Sequence, residues 1–160
     1  MTPDELHDVY AGIGAAVWHL QFLEDVLATY LTMRLRLRWP VTPDQAYGAL
    51  ASERRRTLGS LLKDARDAGL LRGAVADGFA VLLDERNWLI HRSMHEVSDG
   101  LYGADAREAF LGRLRTLADR AIELKKAVYK DAAAFCEEHG LDIGRAEALA
   151  IERFHKLRGA

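Results

Sequence analysis

The side chains best suited to chemistry crowd one short stretch, Glu85-Arg86-Asn87-Trp88-Leu89-Ile90-His91, which sets a guanidinium, an amide and an imidazole within six residues. An imidazole titrates near neutral pH and can take or give a proton, and a guanidinium matches phosphate oxygens in a two-point fork. At about 100° per residue, Phe79, Leu82, Leu83, Leu89, Ile90 and Val97 share one helical face, and Arg86 lands in its middle. Glu24 is out of place in the same way, in an apolar slot between Leu20 and Leu27. Unpaired buried charges are costly, so two misplaced charges of opposite sign are expected to meet. The Glu24–Arg86 pair is either a structural ion pair that fixes helix register or a device in which Glu24 orients Arg86 for a phosphate. On the opposite face Asp84, Asn87, Trp88, His91 and His95 fall within about a quarter-turn of one another. That stripe reads as a solvated polar face, except that an indole there marks a contact surface, either a subunit interface or a stacking platform.

An arginine, a short spacer and a histidine on a late helix of an all-helical chain resemble the signature of the HEPN superfamily. These are small helical domains of many bacterial toxin and phage-defence systems. The polar Asn87 directly after Arg86, and the apolar Leu89 and Ile90 before His91, add to the likeness. The resemblance implies a metal-independent endoribonuclease that works as a homodimer without a cofactor, its two motifs facing each other across one cleft. Arg86, Asn87 and His91 would be its catalytic residues, with Glu24, Trp88 and His95 in support. The ribose 2'-hydroxyl would attack the adjacent phosphorus, leaving a 2',3'-cyclic phosphate and a 5'-hydroxyl, and DNA would be spared. A toxin or defence effector of this kind implies an RNA substrate and a neutralising protein partner. Arg86 and His91 diverge by about 140° around an ideal helix, so a second subunit is expected to complete the cleft.

Other constellations carry competing readings. His91 and His95, four apart and followed by Glu96, would make half of a zinc site, with His19 and Glu24 left to complete it. Arg34, Arg36 and Arg38 with Arg54-Arg55-Arg56 form either a phosphate-attracting rim or an ordinary set of helix-end cations. Lys125, Lys126 and Lys130 read as a solvated face, Cys136 as buried and inert beside Phe135, and His139 as the last residue of a helix before Gly140. A noncatalytic helical dimerisation or adaptor module, with an architectural Glu24–Arg86 pair, is the main alternative to a nuclease.

The elements that must hold these residues are helices. All three prolines lie at positions 3, 40 and 43. Apolar residues at Leu6, Tyr10, Ile13, Val17, Leu20, Leu27 and Leu31 predict one helix over about 4–38, closed by Trp39-Pro40. Shorter helices are expected over about 43–51 and 55–68, a fourth over about 73–97, and a turn at Ser98-Asp99-Gly100. Phe110, Leu114, Leu117, Ala121, Leu124, Val128 and Phe135 then mark a long helix over about 105–138. A last amphipathic stretch covers about 143–157. The expected fold is an all-α antiparallel bundle with two long walls in a single domain over 1–160, its core within about 4–138.

Composition agrees with an ordinary globular chain of 160 residues, 49% hydrophobic and 29% charged. A net charge of −2 argues against nonspecific coating of nucleic acid. One cysteine cannot form an internal bridge, the first residues are acidic where a secretory signal is basic, and no apolar run reaches ~18 residues. A cytoplasmic protein without a membrane partner is the expectation.

Overall fold

The computed structural model describes residues 1–38 and 40–140, and these are all-helical, without strands. Helix α1 (Pro3–Leu31) opens with a capping box: the Thr2 hydroxyl accepts from the Glu5 amide, and the Glu5 carboxylate accepts from the Thr2 amide. It continues into a five-residue π-helical turn, Thr32–Arg36. The Thr29 and Thr32 hydroxyls donate back to the carbonyls of Asp25 and Ala28 just where the helix widens. Helix α2 (Pro43–Glu53) has a second capping box, Thr42 with Gln45, and α3 (Leu58–Asp67) starts from the Thr57 hydroxyl.

The fourth helix is shorter than its periodicity predicts. Helix α4 (Gly73–His91) stops at Arg92, and a separate turn of helix, α5 (Ser93–Val97), follows. The Ser93 hydroxyl donates to the Leu89 carbonyl across the break. A 3-10 turn (Gly100–Tyr102) leads into α6 (Ala104–Glu138), 35 residues long. The amphipathic stretch expected over 143–157 lies outside the described residues, as does Trp39.

The two long helices are present, but they run parallel. Going up α1, Arg107 of α6 pairs with Glu5, Leu111 and Leu114 touch Gly12, Lys125 covers Phe22, and Arg34 covers Phe135. The residue order is the same on both, whereas α4 descends α6, with Gly78 on Leu124, Glu85 on Arg113 and Trp88 on Phe110. The antiparallel neighbour of α6 is therefore α4, not α1. A 3.6-residue period is blind to chain direction, and the segment 37–103 is long enough to carry the chain back to the starting end.

The apolar residues of α6 from Phe110 to Val128 that the pattern picks out are all buried, together with Leu23, Leu27, Leu31, Phe79 and Leu82. On α1 the buried edge is shifted: Val9 is inside and Tyr10 is 64% exposed. Helices α4 and α6 approach closely at Gly78, where a Cβ would stand 3.0 Å from a Leu124 methyl.

The return segment is fastened by a cluster the sequence does not announce. Glu53, 4% exposed, accepts from Arg36 Nε at 2.8 Å and from Arg56 Nη1 at 2.8 Å. Both guanidiniums also reach Asp64, and Arg56 donates to the Ser60 hydroxyl and carbonyl. The end of α1, the end of α2 and α3 thus meet in one network. The hydrogen bond from Arg56, reinforced by Arg36, lowers the Asp64 carboxyl from 3.8 to about 2. Because this pKa is depressed, its stabilisation is present above the unfolded value and lost as pH falls through the folded one. The urea midpoint is expected to drop between about pH 4 and pH 2. Asp64→Asn is expected to lower the midpoint at neutral pH and to make that acid decline shallower.

Candidate functional site

Glu24 and Arg86 meet as the misplaced charges require. Arg86 Nε lies 3.5 Å from Glu24 Oε1, and each side chain keeps 27% of its surface exposed. Burial pushes the Glu24 carboxyl above its ordinary range, and Arg86 partly offsets this. Arg86 Nη1 also reaches the Asn87 side-chain oxygen at 3.4 Å, a long contact. The guanidinium therefore sits between a half-buried carboxylate on α1 and an amide on its own helix, open to solvent. Glu24 also lines a cleft of about 160 Å³ with Gln21, Asp25, Arg54, Arg56 and Leu61, to which Arg86 does not contribute.

His91 ends α4, is exposed, and has no hydrogen-bond partner among the described residues. His95 is also exposed, but it belongs to α5, beyond the break at Arg92. The continuous two-histidine stripe is thus divided between two helices. Among the described residues no three His, Cys, Asp or Glu side chains gather in a way that could hold a metal ion. Glu96 instead accepts from the Trp88 indole at 2.7 Å.

Trp88 is not a surface platform. It is 2% exposed, packs edge-on against Phe110 with ring centroids 6.0 Å apart, and lies under the Arg113 guanidinium, 3.3 Å from the ring centroid. Arg113 is held there by both carboxylate oxygens of Glu85, at 2.7 and 3.0 Å, and that hydrogen bonding lowers the Glu85 carboxyl. Helical arithmetic assigns faces as though α4 had one partner. In fact α6 covers its Glu85–Trp88 side while α3 approaches Leu83 through Gly59, and Ile90, expected inside, is exposed.

Of the six arginines that read as either a basic rim or helix-end cations, three are neutralised, Arg36 and Arg56 by Glu53 and Asp64 and Arg54 by Asp25, while Arg38 and Arg55 form no ion pair among the described residues. Arg34 instead stacks over Tyr30 and Phe135. Lys126 pairs with Glu123, and Lys125 covers Phe22. Cys136 is buried, as its place beside Phe135 suggests, and His139 follows α6 with its Nδ1 2.9 Å from the Phe135 carbonyl oxygen. No helix among the described residues is long and apolar enough to cross a membrane. Comparison of the chain with protein-family models, curated proteins and solved structures finds no match in any of the three.

Two outcomes test this geometry. Trp88→Ala is expected to cost about 3–5 kcal/mol of unfolding free energy, as for a core aromatic, where loss of a surface platform would leave the urea midpoint nearly unchanged. In Arg86→Gln, the Glu24 carboxyl carbon followed by NMR is expected to titrate at higher pH than in the wild type, because burial then acts without its counter-charge.

Proposed function

We propose that this chain is a metal-independent endoribonuclease of the HEPN type, acting as a homodimer. The observation that carries the reading is the state of Arg86: it is neither sealed in the core nor free, but held by Glu24 with a quarter of its side chain open. An arginine steadied in this way is prepared for a phosphate. Asn87 stands beside it, and His91 closes the same helix with its ring exposed.

Among the described residues of one chain nothing joins Arg86 to His91, so the cleft needs a second copy. Exposed Ile90 and Met94, the latter 78% accessible, flank His91 and support an apolar contact there. In the reaction the 2'-oxygen of the ribose bonds to phosphorus as its proton passes to a base, and the 5'-oxygen leaves with a proton from an acid. His91 would move one of these protons, and Arg86 would neutralise the charge gathering on the phosphoryl oxygens. Asn87 would hold the phosphate or the histidine tautomer. A toxin or phage-defence role, with a neutralising protein partner, follows from the HEPN resemblance.

The second reading is a noncatalytic dimerisation or adaptor module, favoured by the fact that Arg86 already has partners in Glu24 and Asn87. Incubation of the purified protein with mixed RNA in EDTA separates the two. The nuclease reading expects cleavage to cyclic-phosphate ends, falling by about 10²- to 10⁴-fold in folded His91→Ala and strongly in folded Arg86→Ala. A folded dimer that leaves RNA intact, or His91→Ala cutting as fast as wild type, gives the adaptor reading the field.

A further inference from the structure

At the end of the bundle away from the Trp88–Phe110 contact lies a groove of about 470 Å³, which has no part in the nuclease reading. One wall is α6, where Asp131, Phe135 and Glu138 fall at positions i, i+4 and i+7 and so share a face. The other walls bring Arg34, from the π-helical turn after α1, and Arg72, from the start of α4. Leu70 and Val75 supply apolar surface between them, while the Phe135 ring is already engaged by Arg34 and by the His139 ring, 4.1 Å away between centroids.

Like Arg38 and Arg55, and unlike three other arginines of this end, the two form no ion pair among the described residues. Arg36, Arg54 and Arg56 are all spent on carboxylates. Arg34 has no hydrogen bond or ion pair among the described residues, and its guanidinium carbon is positioned by rings alone, 4.7 Å from the Phe135 centroid and 5.6 Å from that of Tyr30. Arg72 spends its Nε on the Gly69 carbonyl at 2.8 Å, and its terminal nitrogens have no partner among the described residues. Gly69 makes room for it: φ there is +67°, and a Cβ would stand 3.3 Å from Arg72 Nη2. Asp131 and Glu138 line the same groove, yet neither forms an ion pair with these arginines. Two guanidiniums and two carboxylates thus line one groove without forming an ion pair among the described residues.

A simple anion would meet Asp131 and Glu138 there, and a simple cation would meet Arg34 and Arg72. A ligand that carries both charges on an apolar body answers all four groups. We propose that this groove binds a zwitterionic amino compound with a large apolar side chain, an apolar α-amino acid or a dipeptide made from one. Its carboxylate sits on Arg34 and Arg72, its ammonium faces the carboxylates of α6, and its side chain rests on Leu70 and Val75. The volume lies within the range of small-molecule sites.

Calorimetric titration of the full chain with L-phenylalanine and with L-leucyl-L-phenylalanine tests this, beside phenethylamine, which lacks the carboxylate, and 3-phenylpropionate, which lacks the ammonium. Saturable binding by at least one zwitterion is expected, at least about tenfold tighter than either single-charge analogue. Which zwitterion binds more tightly tells the amino acid from the dipeptide. Arg34→Gln is expected to weaken binding about tenfold or more, and Val75→Trp to abolish it by filling the groove, with melting midpoints showing that both variants fold. Absence of saturable binding, binding that survives both substitutions, or 3-phenylpropionate binding as well as the zwitterions overturns the proposal. None of these results bears on RNA cleavage, so the two readings stand or fall separately.

Discussion

A carboxylate taken out of water must be matched, and the match at Glu53 holds the return path of the chain in place. The two long helices run the same way, so everything between them has to travel back along the bundle, and that traverse begins where α1 loosens into its π-helical turn. Glu53 stands at this point with a guanidinium on either side, one from the end of α1 and one from the turn before α3. Breaking a buried pair of this kind leaves an uncompensated charge, which costs far more than the pair gains over an apolar substitute. The cluster thereby fixes α3, α3 touches α4 at Gly59 and Leu83, and α4 carries Arg86.

The same rule makes part of the candidate site legible in the sequence alone. Glu24 and Arg86 were out of place in two apolar patterns, and charges of opposite sign in such slots have one inexpensive resolution, which is each other. The heptad-like run of α6 was legible for a related reason, since a helix with one broad apolar stripe buries that stripe. Glu53 escaped notice because it sits at the last residue of a short helix, where no periodicity marks it as inside. The arginines around it read as a basic rim or as helix-end cations, and nothing in their spacing points to a buried carboxylate between them.

Trp88 shows where helix arithmetic fails. A stripe calculation finds the direction of greatest apolarity and calls the other side wet, but a helix wedged between two neighbours has two dry sides. The second side of α4 presents the Trp88 indole and Glu85, and Glu85 holds Arg113 of α6 over the ring, so that the three pack as a stack. The break at Arg92 was equally hidden, because Ser93 and Met94 continue the pattern while the backbone does not. Chain direction was hidden for a deeper reason, since periodicity has no arrow.

That direction has an electrical consequence. Each α-helix carries a dipole equivalent to roughly half a charge at either end, and in an antiparallel pair the two nearly cancel. Here the two longest helices point the same way, so their dipoles add along the length of the molecule. Acidic residues stand at both starting ends, Asp4 and Glu5 on α1 and Asp105 on α6, while Arg34 and Arg36 follow the finishing end of α1. No basic residue occupies the last turn of α6. The full charges of those acids and arginines offset the partial charges of the ends they flank, so the finish of α6 is the end whose negative pole no basic residue of its last turn offsets.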